Sequence, residues 1–225
     1  MFKKSLVIIV RALLAAGLVS SISACAKKTP PASTSTESAA TATATSRMTA
    51  ASSKMTPSDL WQLMGKKLTY IQEGHHGPVV YDFTDTNCPF CHLLYVVEAR
   101  LIREGKLTVR YVPVAIIKPS SMPEAAAILQ ADNPVAALQK AEDAIDKGMK
   151  TGKPANLVRA TDAIGKASPK TIEAIKKIEV NNVFLQEVGI DELPDIIYLP
   201  KKGKLGLITG LISEKKPMEL LPQMQ

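Results

Sequence analysis

An α/β sheet with a block of helices inserted between its two halves is the fold this sequence predicts, and three observations lead to it. First, residues 78–114 run strand, helix, strand: the apolar stretch Pro78 to Thr84, a helix-like stretch Leu93 to Ile102, and Leu107 to Val114, alternating and then continuously apolar. That order implies a right-handed crossover and a parallel strand pair. Second, the chain from about residue 122 to residue 188 is helical in pattern. Third, Asp195 to Pro200 and Leu205 to Thr209 close the chain as a strand pair around the turn Lys201-Lys202-Gly203-Lys204.

The remaining elements follow in chain order. Thr56-Pro57-Ser58-Asp59 ahead of Leu60-Trp61-Gln62-Leu63-Met64 predicts a short capped helix. Leu68 to Gln72 suits a strand, and Glu73-Gly74-His75-His76-Gly77 a turn into the next one. The helical block divides into Glu124 to Ala131, Pro134 to Lys147 and Pro169 to Val188, and Ser213 to Leu221 offers a terminal helix. There is no internal repeat. Residues 56–225, about 170 in number, suffice for one domain with a sizeable core.

The N-terminal quarter has a different composition. Lys3, Lys4 and Arg11 precede an apolar stretch, Ala12 to Val19, that is too short to span a bilayer. Ile22-Ser23-Ala24-Cys25 follows and resembles the lipobox of bacterial lipoproteins, with residues 1–24 as the signal and Cys25 as the lipidated residue. The alternative is an ordinary cleaved signal with an incidental cysteine. A lipidated Cys25 implies anchoring to a membrane, and Ala26 after it favours the outer one. Residues 25–55 are mostly Ser, Thr and Ala with almost no large apolar side chain, which predicts a disordered tether. Its r.m.s. reach would be roughly 30 Å. Loss of residues 1–24 removes three positive charges and no acids, so the net charge falls from +7 to +4. No basic cluster with stacking aromatics points to nucleic acid.

Cys88-Pro89-Phe90-Cys91 carries the chemistry. Two thiols three positions apart at a helix start lie close enough to close a small disulfide ring, and the first sits where N–H groups and the helix dipole stabilise a thiolate. Pro89 suits the first helical position. With Cys25 set aside, no cysteine remains for structural bridges, so this pair serves exchange chemistry better than stapling. A buried disulfide that never turns over is the structural alternative. Asp82, six residues before Cys88, is the candidate proton acceptor for Cys91, its side chain opposed to those of Tyr81 and Phe83. The plain reading of Asp82 is a partly exposed strand acid. His92 either lowers the thiolate pKa by its charge or is merely solvated. His75-His76 suits a turn better than a metal site, and no metal or cofactor is expected. Cys88 to His92 also spells a c-type haem attachment signature, against which stand the strand before it and the parallel-sheet order around it.

Phe83 to His92 resembles the active-site segment of the periplasmic disulfide isomerases DsbC and DsbG. Val114-Ala115-Ile116-Ile117-Lys118-Pro119, Ala125 to Leu129, Leu60-Trp61-Gln62 and Pro194 to Tyr198 are similar to DsbG in particular. The resemblance covers residues 58–222. It implies a thioredoxin-like fold with a helical subdomain inserted at about 120–188. It also implies a nucleophilic Cys88, a resolving Cys91 and a cis-proline at Pro194, with Pro89, Phe90 and Leu193 contacting substrate.

The implied activity is thiol–disulfide exchange in the periplasm, mainly reduction of protein disulfides or sulfenylated cysteines, with a DsbD-type membrane electron donor. Isomerase, DsbA-like oxidase and redox-inert chaperone readings remain alternatives. Three departures stand out. The isomerases' N-terminal dimerisation domain has only the low-complexity tether in its place, so a monomer is expected. Leu193 stands where they usually carry Thr. Asp82 stands where they carry an apolar residue, and an acid there is instead similar to thioredoxin.

Overall fold

The computed structural model describes residues 56–160, 167–210 and 215–225; the signal-like segment, Cys25 and the tether lie outside them. Helix α1 spans Pro57–Lys67, then strands β1 (Ile71–Glu73) and β2 (Val79–Thr84) lead into α2 (Pro89–Arg103) and β3 (Thr108–Pro113). Helices α3 (Ser121–Leu129), α4 (Pro134–Thr151) and α5 (Pro169–Glu187) precede β4 (Asp195–Tyr198), β5 (Gly206–Thr209), α6 (Lys215–Leu220) and a 3-10 turn.

Side chains near the helix starts explain where most of these helices begin. Thr56 accepts the Asp59 N–H at 3.1 Å while its own N–H reaches Asp59 at 3.0 Å, a reciprocal cap of two otherwise orphaned donors. Asn133 caps α4 through Ala136 N–H, and Ser168 caps α5 through Thr171 N–H. Glycine decides the turn between β1 and β2. Gly77 has φ +78°, and a Cβ there would strike the Lys106 carbonyl.

The five strands form one mixed sheet in the order β1-β3-β2-β4-β5. Strands β2 and β3 are parallel, as the crossover requires, with Asp82 paired to Tyr111. Each remaining neighbouring pair is antiparallel. The first strand differs from expectation. Helix α1 runs on to Lys67 and Leu68 closes it by donating to the Met64 carbonyl, so the strand starts three residues later and ends at Glu73.

Alternation along β2 sorts the core into two faces. Tyr81 and Phe83 pack with Met64 of α1 and Phe184 and Leu185 of α5. Val80 packs on the other face with Leu94 and Leu101 of α2 and Leu138 of α4. The inserted helices are therefore layers of the sheet itself. Helix α3 joins them, closing on α5 through Ala125, Ala126, Ala174 and Ile178.

Candidate active site

Cys88 is the N-cap of α2, and its Sγ accepts the Cys91 N–H at 3.1 Å. The two cysteines form a disulfide with their Cα atoms 5.2 Å apart. Pro89 occupies the first helical turn as its chemistry predicts. When the disulfide opens, the Cys88 sulfur inherits a backbone donor and the positive end of a fifteen-residue helix, and both favour the thiolate. Cys91 is the more enclosed of the two, 1% exposed against 4%.

A groove of about 570 Å³ opens over Cys88. One wall is Pro89 and Phe90 with Ile116 and Ile117; the other is the loop Asp191-Glu192-Leu193 with Gly210. Phe90, Ile116 and Ile117 are each more than two-fifths exposed, an apolar surface held open beside the sulfur. The Leu193–Pro194 peptide is cis, and the Pro194 carbonyl accepts the Gly210 N–H at 2.8 Å. The fold thus brings Cys88, Pro89, Phe90 and Leu193 to one groove, with Pro194 next to it. Ile116 and Ile117 complete a wall that the residue pattern alone did not assign.

The loop before Cys88 is held by buried carboxylates with partners far away in sequence. Asp85 accepts from the backbone N–H groups of Asn87, Ile116 and Ile117 at 2.9, 2.9 and 3.1 Å and from the Ser121 hydroxyl at 2.6 Å. Glu124 of α3 accepts from Thr86 Oγ1 at 2.9 Å and Asn87 Nδ2 at 2.8 Å, and Arg159 meets its other oxygen at 3.2 Å. The position of the nucleophile is therefore set by the inserted helices as well as by β2.

Asp82 is 0% exposed, which excludes the partly exposed strand acid. It lies on the face of β2 that meets α2, since Val80 two residues earlier packs against Leu94 and Leu101. Burial pushes its pKa up to about 8; a hydrogen bond from Glu98 opposes the rise, and the charges of Glu142 and Asp195 add to it. Beside it lies Glu98 of α2, 1% exposed, whose carboxyl is also driven well above the usual range by burial and by Asp82. Sequence reasoning missed Glu98. Its signal was present: it falls at helical spacing on the stripe Cys91, Leu94, Leu101, an acid on a buried face.

His92 is neither solvated nor free. It is 4% exposed, and its Nδ1 lies 2.7 Å from Glu142 Oε2 of α4, with Nε2 3.7 Å from Asp146. The bond to Glu142 raises its pKa, so the ring beside Cys91 is held toward its charged form. His75 and His76 sit exposed in the β1–β2 turn.

The geometry agrees with what the chain resembles. It is 28% identical over 158 residues to the thiol:disulfide interchange protein DsbG of Escherichia coli, covering 70% of this chain and 58% of that one. With DsbG of Pseudomonas aeruginosa the identity is 30% over 166 residues, covering 72% and 59%. The chain thus spans nearly three-fifths of the length of these relatives. Among solved structures, Proteus mirabilis ScsC in a compact conformation superposes with a TM-score of 0.53 at 16% identity, covering 81% of this chain and 86% of that one, a likeness of fold. Residues 64–225 match the model of the thioredoxin-like domain. The sheet order, the dithiol at the start of α2 and that match over most of the described chain together make this protein a member of the thioredoxin-like domain family.

Proposed function

We propose that the protein is an exported thiol–disulfide oxidoreductase that acts mainly as a reductase of protein disulfides or sulfenylated cysteines through Cys88 and Cys91. The observation that carries this is the placement of the Cys88 sulfur, at a helix N-terminus and at the floor of an open, partly apolar groove. A structural disulfide has no use for such a groove.

In the reductase direction the Cys88 thiolate attacks one sulfur of a substrate disulfide and the other leaves as a thiolate. Phe90, Ile116, Ile117 and Leu193 hold the apolar side of the substrate against the groove, and Pro194 stands beside it. Cys91 then gives its proton to the Asp82 carboxylate and attacks Cys88 Sγ. The Cys88–Cys91 bond forms, the Cys88–substrate bond breaks, and the second substrate sulfur leaves as a thiolate. Two electrons pass from the dithiol to the substrate. Asp82 suits the role because burial tunes it near the working pH and because it faces the helix that carries Cys91. A sulfenylated cysteine enters the same sequence with water as the leaving group.

The likeness to DsbG supports periplasmic substrates and a DsbD-type membrane donor that returns the site to the dithiol. The lipobox-like Ile22 to Cys25 supports attachment to a membrane through Cys25, with the outer membrane favoured. Residues 26–55 hold almost no large apolar residue with which to build a second core, which supports a monomer. Insulin reduction and scrambled-ribonuclease refolding, with the reduction potential measured against glutathione, test the activity. A potential near those of strong oxidants would overturn the reductase reading in favour of an oxidase.

A further inference from the structure

Asp82 and Glu98 face each other from β2 and α2, both fully enclosed. Apart from each other and the Tyr111 hydroxyl beside Glu98, their four buried carboxyl oxygens have no hydrogen-bond partner among the described residues. Two ionised carboxylates in that position would suffer both desolvation and mutual repulsion, and the physical remedy is a shared proton.

The described surroundings supply no counter-charge next to the pair. The titratable groups that act on the pair are Tyr111 of β3, Glu142 of α4 and Asp195 of β4, and Glu73 of β1 and His92 and Tyr95 of α2 act on these in turn. Of these only His92 is a base, and it is bonded to Glu142; Arg100 of α2 lies 3.8 Å from Glu104, and Arg110 of β3 donates to Tyr81 on the other face of the sheet.

Those groups also mark a direction. Tyr111 stands opposite Asp82 in the β2–β3 register, and its buried hydroxyl lies beside Glu98 with no other partner among the described residues. Tyr111 and Glu142 line a cavity of about 10 Å³, close to the space a single water needs. Glu142 reaches His92 at 2.7 Å, and His92 lies 3.7 Å from Asp146, which is 39% exposed. A line of proton-bearing groups therefore runs from beneath the dithiol, between α2 and α4, to the surface. The substrate groove lies elsewhere, on Phe90, Ile117 and Leu193.

We propose that Glu98 is the second half of a carboxyl pair with Asp82 that holds one proton at neutral pH, and that protons taken from Cys91 leave past Tyr111, Glu142 and His92 instead of through the substrate groove. Glu98 is a positioning residue. Seven residues, or about 10 Å of helix rise, separate it from Cys91, so it acts through Asp82. The role of the pair in turnover rests on Asp82 serving Cys91; the existence of the pair does not. At the resolving step the Cys91 S–H bond breaks and its proton joins the pair, which then holds two. The Cys91 thiolate forms its bond to Cys88 Sγ as the Cys88–substrate bond breaks. One proton then leaves along the line and restores the singly protonated pair.

The direct experiment is an NMR titration of 13C-labelled Asp and Glu carboxyl groups in the full chain. In the wild type the Asp82 and Glu98 signals should move together in two steps, with the upper step above neutral pH. In Glu98→Gln, Asp82 should titrate in a single step at lower pH than that upper step, because a neutral amide can donate to its carboxylate. An Asp82 curve unchanged by Glu98→Gln overturns the pair, as does independent titration of the two carboxyls in the wild type. The wild-type curve decides even if the variant does not fold.

The route is tested by stopped-flow resolution of the Cys88 mixed disulfide at low buffer concentration. Glu142→Gln should slow it roughly 10-fold or more and lower the Asp82 titration, since the Glu142 charge helps to raise it, whereas Glu142→Asp, which keeps the charge, should slow it less. Unchanged rates in Glu142→Gln alongside a slow Asp82→Asn overturn the route. Unchanged rates in Asp82→Asn sink the reading that Asp82 serves Cys91 and the route with it, and leave the pair to be judged by its titration.

Discussion

Replacing Asp82 with Asn should make the protein both slower and more stable, and the size of the second effect depends on pH. Asp82 ionises at an ordinary value of 3.8 in water and at about 8 within the fold. An acid whose folded pKa is raised contributes stability that is complete below the unfolded value and is lost as the pH climbs through the folded one. Each pH unit between the two values corresponds to about 1.4 kcal/mol, so a gap of roughly four sets an upper bound near 6 kcal/mol. Sharing the proton with Glu98 and relaxation around the charge reduce this, and about 2–4 kcal/mol is the expected gain for Asp82→Asn at pH 8.

At pH 4 the two proteins should differ little, since a protonated carboxyl and an amide have similar shape and polarity. Urea melts of the oxidised forms at pH 4, 6 and 8 measure this directly. Stopped-flow reduction of a model disulfide on the same samples should show the resolving step slowed roughly 10- to 1000-fold, the usual yield of a positioned base, while the Cys88 thiolate barely changes. A buried acid with no part in the exchange predicts the same gain in stability with unchanged kinetics, so the kinetics decide between them. Unchanged turnover in Asp82→Asn refutes the proton-acceptor role whatever the melts show.

Other perturbations follow from the same geometry. Cys91→Ser should trap substrates on Cys88 as mixed disulfides, visible as reducible adducts by non-reducing electrophoresis and mass spectrometry, whereas Cys88→Ser should trap none. Asp85→Ala strips four donors of a buried acceptor, so the fold should lose about 3–5 kcal/mol in urea melts and the Cys88 thiolate pKa should rise as its loop loosens. His92→Phe leaves Glu142 buried without its partner and should cost about 3–5 kcal/mol in urea melts at neutral pH. The raised pKa values of His92 and Asp195 have the same sign as that of Asp82, so the wild type should be more stable at pH 5 than at pH 8; a flat profile between them would contradict all three.

Local period and local chemistry account for the parts of this protein that its residues announce unaided. The strand Val79–Thr84, the helix beginning at Pro89 and the parallel partner Thr108–Pro113 were legible because alternation, a Cys-Pro helix start and a short crossover are properties of neighbouring residues. The dithiol was legible for the same reason, since its two sulfurs are three positions apart. Periodicity also says which face of an element is buried, and by that measure Glu98 was visible on the stripe of α2.

Periodicity does not say what lies across from that face. The partner of Glu98 is Asp82 on another element, and that of His92 is Glu142, fifty residues on. The donors on Asp85 come from two to thirty-six positions away. Likewise β1 is short and displaced because α1 holds its last turn through Lys67, and it finds its place only by pairing antiparallel with β3. The depth at which Asp82 is buried belongs to the same class. An acid's pKa depends on the water removed by elements packed over it, and no stretch of chain beside it encodes which elements those are. The sequence therefore carried the reagent, and the tertiary structure decided the proton that goes with it.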